Sequence, residues 1–482
     1  MNLPANDNLV LMDKNSAGFN WYLVLGSLLF FGFYFWVALK TSFVVAIMLV
    51  IALPLLILFC YYLFKIPGLA IGLMIAATSL DVVGRLTAKG AALGLTVFHL
   101  MFLVSLVIFI FRKLWDADFS FKKTRIDFAL LLFLIIIGIS IFWSRDRQEA
   151  MISLGRLVAL IIAMYLTLNM VESKASVKLV AILIFIPALI LSVYAGRDFV
   201  TASSVEVKNA LSMLKLFSRF GATFENPNYF ATFLLLPLCL SFAALSFFRI
   251  SFWKKGVYFI IPMAIFGVAF VGTFSRSAWV ALFAAYLYIF AYFKNKKYWI
   301  LGALITLIIL AVALYQTAFF QSFVLRFASI FEGKTDPSSA TRIFLIAGGW
   351  QMFVKSYFFG VGFESFPIEY HQHYQPPGQA LGYVHECHTL PMEILAELGL
   401  IGLIIFAVII YRTIQFGMQV IRQTTDNFYR TIQIGLVAFF LGLLVNFLFM
   451  PGGILNNLFW IGMGLIWAIG YLVSERKSII NG

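Results

Sequence analysis

The chain reads as an all-α polytopic membrane protein of about 12–14 transmembrane helices with one large external loop, and three observations predict this. Charged residues make up 12% of the chain, about half the share in soluble proteins, and the mean hydropathy is +0.97. Apolar runs such as "LLLFLIIIGISIFW" and "GALITLIILAVALY" belong to helices near the ~20 residues that cross a bilayer. The basic residues sit mostly in short segments between such runs.

Spans are expected at 22–39, 43–64, 66–81, 92–111, 126–143, 153–171, 177–195, 228–247, 256–274, 277–293, 298–318, 393–411, 431–449 and 457–474. Around Lys65 the sequence "KIPG" fits either a kink or a re-entrant turn, which leaves the number of spans open there. The resulting organisation is a tail at 1–21, a bundle at 22–318, an external loop region at 319–392, C-terminal helices at 393–474 and a tail at 475–482. Orientation follows from the basic residues. With the N-terminus inside, inner segments hold 20 Lys and Arg and outer ones 15, and 8 of those 15 lie in the long segments 196–227 and 319–392. The short-loop comparison of 20 against 7 places both termini in the cytoplasm. The kind of cation also differs: 13 Lys and 7 Arg inside, 6 Lys and 9 Arg outside. Arginine's planar fork suits bidentate binding of phosphate, so the outer bias has meaning if those arginines converge.

Several function classes lack support. The first twenty residues carry Asp7, Asp13 and Lys14 without an apolar core, so no cleavable signal is expected. Cys60 and Cys239 fall in spans and Cys387 near the surface, which argues against a disulfide framework. Membrane topology accounts for most of the +14 net charge, so nucleic acid is not an expected partner; the lipid bilayer is. There is no P-loop, GxSxG or HExxH motif, and almost no carboxylate within the spans of the kind ion-coupled transporters use. A polysaccharide transporter or flippase would need two similar halves and a polar path, and neither is visible.

Four external stretches hold the chemistry. In "SRFGATFENPNYFATFLLLP", Arg219 precedes an Asn226-Pro227-Asn228 turn that opens a span. The asparagines suit helix capping, whereas Arg219 lies beside a helix N-terminus that attracts anions. In "GTFSRSAWVALF", Arg276 occupies a tight turn between spans, either snorkelling to headgroups or binding an anion. The long loop holds Arg342, an amphipathic stretch "RIFLIAGGWQMFVKS" expected on the outer leaflet, a Gly360-x-Gly362 turn and many aromatic residues. The fourth stretch, "YVHECHTLPMEILAELGLIG", concentrates His385, Glu386, Cys387 and His388, with His371 and His373 upstream. These are metal-ligating residue types, but their spacing fits no standard zinc motif, so no metal is expected and a zinc hydrolase is a minor reading. His388 stands at the start of a helix, whose positive end favours the neutral imidazole a general base needs.

His388-Thr389, nine residues, then Gly399-Leu400-Ile401-Gly402 resembles the His–Asn/Ser/Gln–x9–Gly–x–x–Gly motif of the O-antigen ligase family, which includes Wzy-like polymerases. Arg219 before "NPN", Arg276 in "FSRSAW" and "GVGFESF" follow in the same order, so the resemblance covers roughly 215–405. Thr389 departs from the motif but keeps a hydroxyl. The resemblance implies a cofactor-free, metal-independent glycosyltransferase of GT-C type at the outer face of the inner membrane. Such enzymes move a glycan from undecaprenyl diphosphate to an acceptor sugar hydroxyl, on lipid A core for a ligase or on another lipid-linked glycan for a polymerase. In that reading His388 is the base and Arg219 and Arg276 clamp the diphosphate. Arg342, Asn226, Asn228 and Thr389 are further substrate contacts, and the aromatic loop covers the site and stacks on sugars.

Overall fold

The computed structural model describes residues 55, 57–80, 85–86, 95–115, 120–202, 219–293, 296–297, 318–328, 337–376, 386–450 and 453–481. The expected spans at 22–39, at 43–64 up to residue 54 and at 298–317 lie outside these residues, as does His385. The chain divides into Met1–Lys65 and Ile66–Gly482. The described part of the first unit is a short apolar helix, α1 (Ile57–Lys65), in which Lys65 lies 5.7 Å over the Tyr61 ring.

The second unit contains α2 (Pro67–Ala77), α3 (Val97–Trp115), α4 (Asp127–Ser140, extended by a 3₁₀ turn to Trp143), α5 (Arg147–Met170) and α6 (Lys174–Ala202). Then follow α7 (Pro227–Phe247), α8 (Phe252–Gly272, with a π turn at Gly256–Ile260) and α9 (Arg276–Phe290). Next come α10 (Ala318–Ala328), α11 (Pro337–Lys355), α12 (Leu390–Gln423), α13 (Asn427–Phe447) and α14 (Asn457–Asn481). Among the described residues eight helices are long and apolar enough to cross a membrane, or nine if α1 and α2 count as one broken span. The fold is all-helical among these residues, apart from one isolated bridge between Arg85 and Thr96.

Local chemistry sets the helix starts. Asp146 accepts from Glu149 N at 3.0 Å, Asn226 from Asn228 N at 2.9 Å and Asp426 from Phe428 N at 2.8 Å, each satisfying a backbone donor that the first turn leaves open. Pro227 and Pro391 occupy first-turn positions, where a missing N–H costs nothing. α7, α13 and α14 form the most enclosed part of the bundle. Two side-chain amide donors there are paired across helices: Gln433 Nε2 donates to Ile466 O at 3.2 Å, and Asn446 Nδ2 to Thr232 Oγ1 at 2.8 Å. In lipid the alternative would be an unsatisfied group in hydrocarbon.

α12 is broken. Gly399 has φ 69° and ψ −167°, so residues 390–398 form a short leading helix and the long segment resumes after the break. The break accepts the turn at Gly360–Gly362: Val361 N donates to Ala396 O at 2.8 Å, Gly362 N to Glu397 O at 3.0 Å, and Leu400 N to Phe358 O at 3.1 Å. A Cβ on Gly399 would lie 2.2 Å from Phe358 O, so only glycine admits this contact. The same turn is clamped from its other side by α4, where Ser144 Oγ donates to Phe363 O at 2.7 Å and Trp143 Nε1 to Gly360 O at 3.2 Å. Two glycine motifs far apart in sequence thus form one joint, and it holds the start of α12 in place.

Candidate functional site

Arg219 runs along the turn that joins α8 to α9. Its Nε donates to Thr273 O and its Nη2 to Asn228 Oδ1, both at 2.7 Å, while Phe220 N donates to Gly272 O at 3.0 Å. Asn228 therefore orients Arg219, and Asn226 caps α7 with its side-chain oxygen. Arg276 begins α9 three residues beyond Thr273 and is only 9% exposed. Burial makes it part of the turn rather than a side chain extended toward headgroups. Two guanidinium groups, bonded to or emerging from one turn at a helix N-terminus, concentrate positive potential where an anion gains most.

His388 lies on the same connected scaffold. Thr389 Oγ1 donates to Leu448 O at 3.2 Å, two residues past Asn446. Asn446 bonds Thr232, and Thr232 Oγ1 donates to Asn228 O at 2.8 Å. Side chains and backbone thus link the start of α12, through the end of α13 and the first turn of α7, to Arg219 and the turn before Arg276. Burial, and then the nearby Arg342 guanidinium, hold the His388 imidazole below its usual pKa. The residue is therefore neutral at neutral pH, for reasons additional to the helix end that the sequence points to.

Backbone strain marks this end of the molecule. Among the described residues six non-glycine residues have positive φ: Ala222, Phe274, Tyr357, Phe358, Glu364 and His388. Ala222 and Phe274 lie in the turns around Arg219 and Arg276, Tyr357, Phe358 and Glu364 around the Gly360–Gly362 turn, and His388 before α12; each such conformation costs about 1–3 kcal/mol. The positive φ of Phe274 precedes Arg276 and that of His388 (58°) precedes the N-cap Thr389, so both candidate groups are aimed by strained backbone.

Two cavities that the sequence did not reveal open beside this scaffold, reached through Glu386, two residues before His388, and Thr232, though Arg219, Arg276 and His388 do not themselves line them. A cavity of about 440 Å³ is lined by Asp146, Glu149, Ser153, Arg156, Glu364, Glu386 and Glu393, among others. A second, of about 310 Å³, shares Glu386 and Leu455 with it and continues past Glu225, Tyr229 and Asn456. Burial pushes the Glu364 carboxyl above the usual carboxylate range. The carboxylates come from four separate segments, so no local spacing announces them. Groups that accept hydrogen bonds and line a cleft suit a polyhydroxylated ligand.

Other expected features are placed differently. Cys387 is fully buried rather than near the surface, in a cluster with Leu345, Met352, Phe366, Tyr370 and Ala396. α11 packs one face on the leading turns of α12 through Gly349 and Met392, while Ile343, Ile346, Trp350 and Val354 form an exposed apolar stripe. Phe353, Phe363 and Phe366 are core residues and are not available to stack on sugars; Trp350, Phe358 and Phe359 are exposed. His371 Nδ1 pairs with Gln375 Oε1 at 2.8 Å and His373 Nε2 lies 3.9 Å from Glu369 Oε2, so each has a local partner within its own turn.

Comparison with known proteins gives two similarities. Residues 261–407 match the family described as O-Antigen ligase, a stretch that contains Arg276, Arg342, His388 and both glycine motifs. The chain is also similar to the teichuronic acid biosynthesis protein TuaE of Bacillus subtilis (strain 168), at 25% identity over 369 residues, covering 71% of this chain and 70% of the relative.

Proposed function

From the match of residues 261–407 to the O-antigen ligase family, we propose that this membrane protein is a metal-independent glycosyltransferase acting on a lipid-diphosphate-linked glycan. The acceptor is a sugar hydroxyl, the donor lipid is undecaprenyl diphosphate, and the site faces the periplasm with both termini in the cytoplasm. One observation carries the reading: two arginines fixed by one turn, and a buried, neutral histidine tied to that turn through Asn228, Thr232 and Asn446.

In the reaction the acceptor oxygen attacks the anomeric carbon while His388 takes its proton. The bond from that carbon to the diphosphate oxygen breaks, and the lipid diphosphate leaves with the electron pair. Arg219 and Arg276 stabilise the charge that grows on the leaving group, where fixed donors in a water-poor site act most strongly. Burial, aided by Arg342, keeps His388 unprotonated, and the carboxylate-lined cavities hold sugar hydroxyls.

Transfer to lipid A core makes the protein an O-antigen ligase of lipopolysaccharide biosynthesis. A second reading, a Wzy-like polymerase of O-antigen or exopolysaccharide with another glycan as acceptor, is favoured by the relative's name, which places that protein in teichuronic acid biosynthesis. Reconstitution with lipid-linked glycan, with and without lipid A core, separates them. Transfer to core identifies a ligase, lengthening without core a polymerase, and movement of intact lipid-linked glycan across the membrane without transfer would reject both.

A further inference from the structure

A cavity of about 1000 Å³ lies between α6, α7, α8 and α13, at the end away from Arg219 and Arg276. α7 runs from Pro227, next to Asn228 at the site, to Phe247 beside this slot, 21 residues or about 30 Å of helix, so the two regions are separate. Four cations from two helices and one connecting segment converge at its mouth: Lys174, Lys178, Arg249 and Lys254. Lys174 is paired with Asp426 at 3.1 Å and lies 4.9 Å over the Phe428 ring. Lys178, Arg249 and Lys254 form no salt bridge among the described residues, so the mouth carries three uncompensated positive charges.

Below the cations the slot is apolar. Ile182, Phe185 and Ile186 follow Lys178 on one face of α6, and Leu240, Ala244 and Phe259 form the opposite side. From Lys178 to Ile186 the helix rises about 12 Å, so the wall reaches well into the hydrocarbon layer. Phe248 and Phe428 stack at 5.9 Å with an interplanar angle of 6° beside the cationic rim. Positive charge at the inner ends of spans is expected from topology alone. Topology does not require three such charges to ring one concave apolar slot.

We propose that this slot binds one anionic glycerophospholipid, its phosphate held by Lys178, Arg249 and Lys254 and its acyl chains lying along α6 and α7. The charge complementarity selects an anionic headgroup, and the apolar wall selects a lipid over a soluble ion. A volume at the top of the range for pockets that enclose drug-sized molecules exceeds what one phosphate fills. Basic pockets between spanning helices commonly hold such headgroups.

The test uses the purified full chain in neutral detergent, titrated with dioleoyl phosphatidylglycerol, dioleoyl phosphatidylcholine, undecaprenyl phosphate or inorganic phosphate and read by native mass spectrometry. Phosphatidylglycerol is expected to add once at low concentration, with phosphatidylcholine at least tenfold weaker. The combined Lys178→Gln, Arg249→Gln and Lys254→Gln variant is expected to lose roughly 100-fold in affinity, about fivefold per charge. The single variants supply the same reading if the combined one does not fold. Ala181→Trp, which fills the slot and keeps every cation, is expected to lose binding as well. Equal uptake of phosphatidylcholine, unchanged binding in the charge variants or in Ala181→Trp, displacement by inorganic phosphate, or stronger binding of undecaprenyl phosphate would each overturn the assignment.

Discussion

The two ends of the bundle carry charge of the same sign in different ways. At the α8–α9 turn the cations are arginines: Arg276 is 9% exposed, and Arg219 is held by two hydrogen bonds of 2.7 Å. At the opposite end the mouth of the slot has three lysines to one arginine, and Lys178, Arg249 and Lys254 are exposed. Exposed, strongly hydrated lysines attract charge without fixing geometry, whereas a buried guanidinium presents donors in a set direction. Two of the arginines that the sequence assigns to outer segments, Arg219 and Arg276, are organised around one turn. Strain is found beside the arginines too: among the described residues, Ala222 and Phe274 flank Arg219 and Arg276 with positive φ, and no non-glycine residue lining the slot has one.

The comparison breaks most completely if His388 is not special to that end. His388→Ala is expected to reduce transfer by at least about 100-fold, the usual contribution of a general base, with protein level and insertion unchanged. His371→Ala and His373→Ala are expected to stay within a few-fold of the parent in the same transfer assay, because each is engaged locally.

Gly399→Ala tests whether the glycine joint positions the start of α12. A methyl 2.2 Å from Phe358 O, on a residue at φ 69°, forces the break or the Gly360 turn to move. The expected result is a loss of about 2–4 kcal/mol in unfolding stability, read by thermal denaturation in detergent, with transfer lost alongside. Stability equal to the parent would show that the joint is loose.

Arg342→Gln sharpens the electrostatics. The His388 pKa is depressed, so the active neutral form is lost as pH falls through that depressed value. Removing the nearby guanidinium takes away one of the two causes, and the acid limb of the pH–rate profile is expected to move to higher pH. A limb that stays in place would detach Arg342 from the base.

Hydropathy made most of the bundle legible. The spans expected at 228–247, 256–274 and 277–293 differ from α7, α8 and α9 by a few residues at their ends, since each is one apolar run preceded by a residue of capping type, Asn226, Ser251 or Ser275. The span expected at 393–411 instead runs from 390 to 423. Its extension buries Thr413, Gly417, Val420 and Ile421 at helical spacing within a polar stretch, which averaging over a window hides. The break at Gly399 was hidden for the opposite reason, because the residues on both sides of it are apolar. Arg219, Arg276 and His388 were legible as rare polar groups at helix starts. The Asn228 to Arg219 bond and the carboxylates from residues 146 to 393 were not, because tertiary contact alone brings them together.

The central claim is that the cations of the arginine end act through fixed hydrogen-bond geometry, whereas those at the opposite end act through charge without fixed geometry. Replacing arginine by lysine at each end, in the same reconstituted transfer assay, tests it most directly. Arg276→Lys and Arg219→Lys are expected to lose about 10- to 100-fold, the range for losing a charge-assisted hydrogen bond, with unchanged protein level. Arg249→Lys at the slot is expected to stay within twofold. Near-parental transfer in both Arg276→Lys and Arg219→Lys, or a loss in Arg249→Lys as large as theirs, would contradict the account.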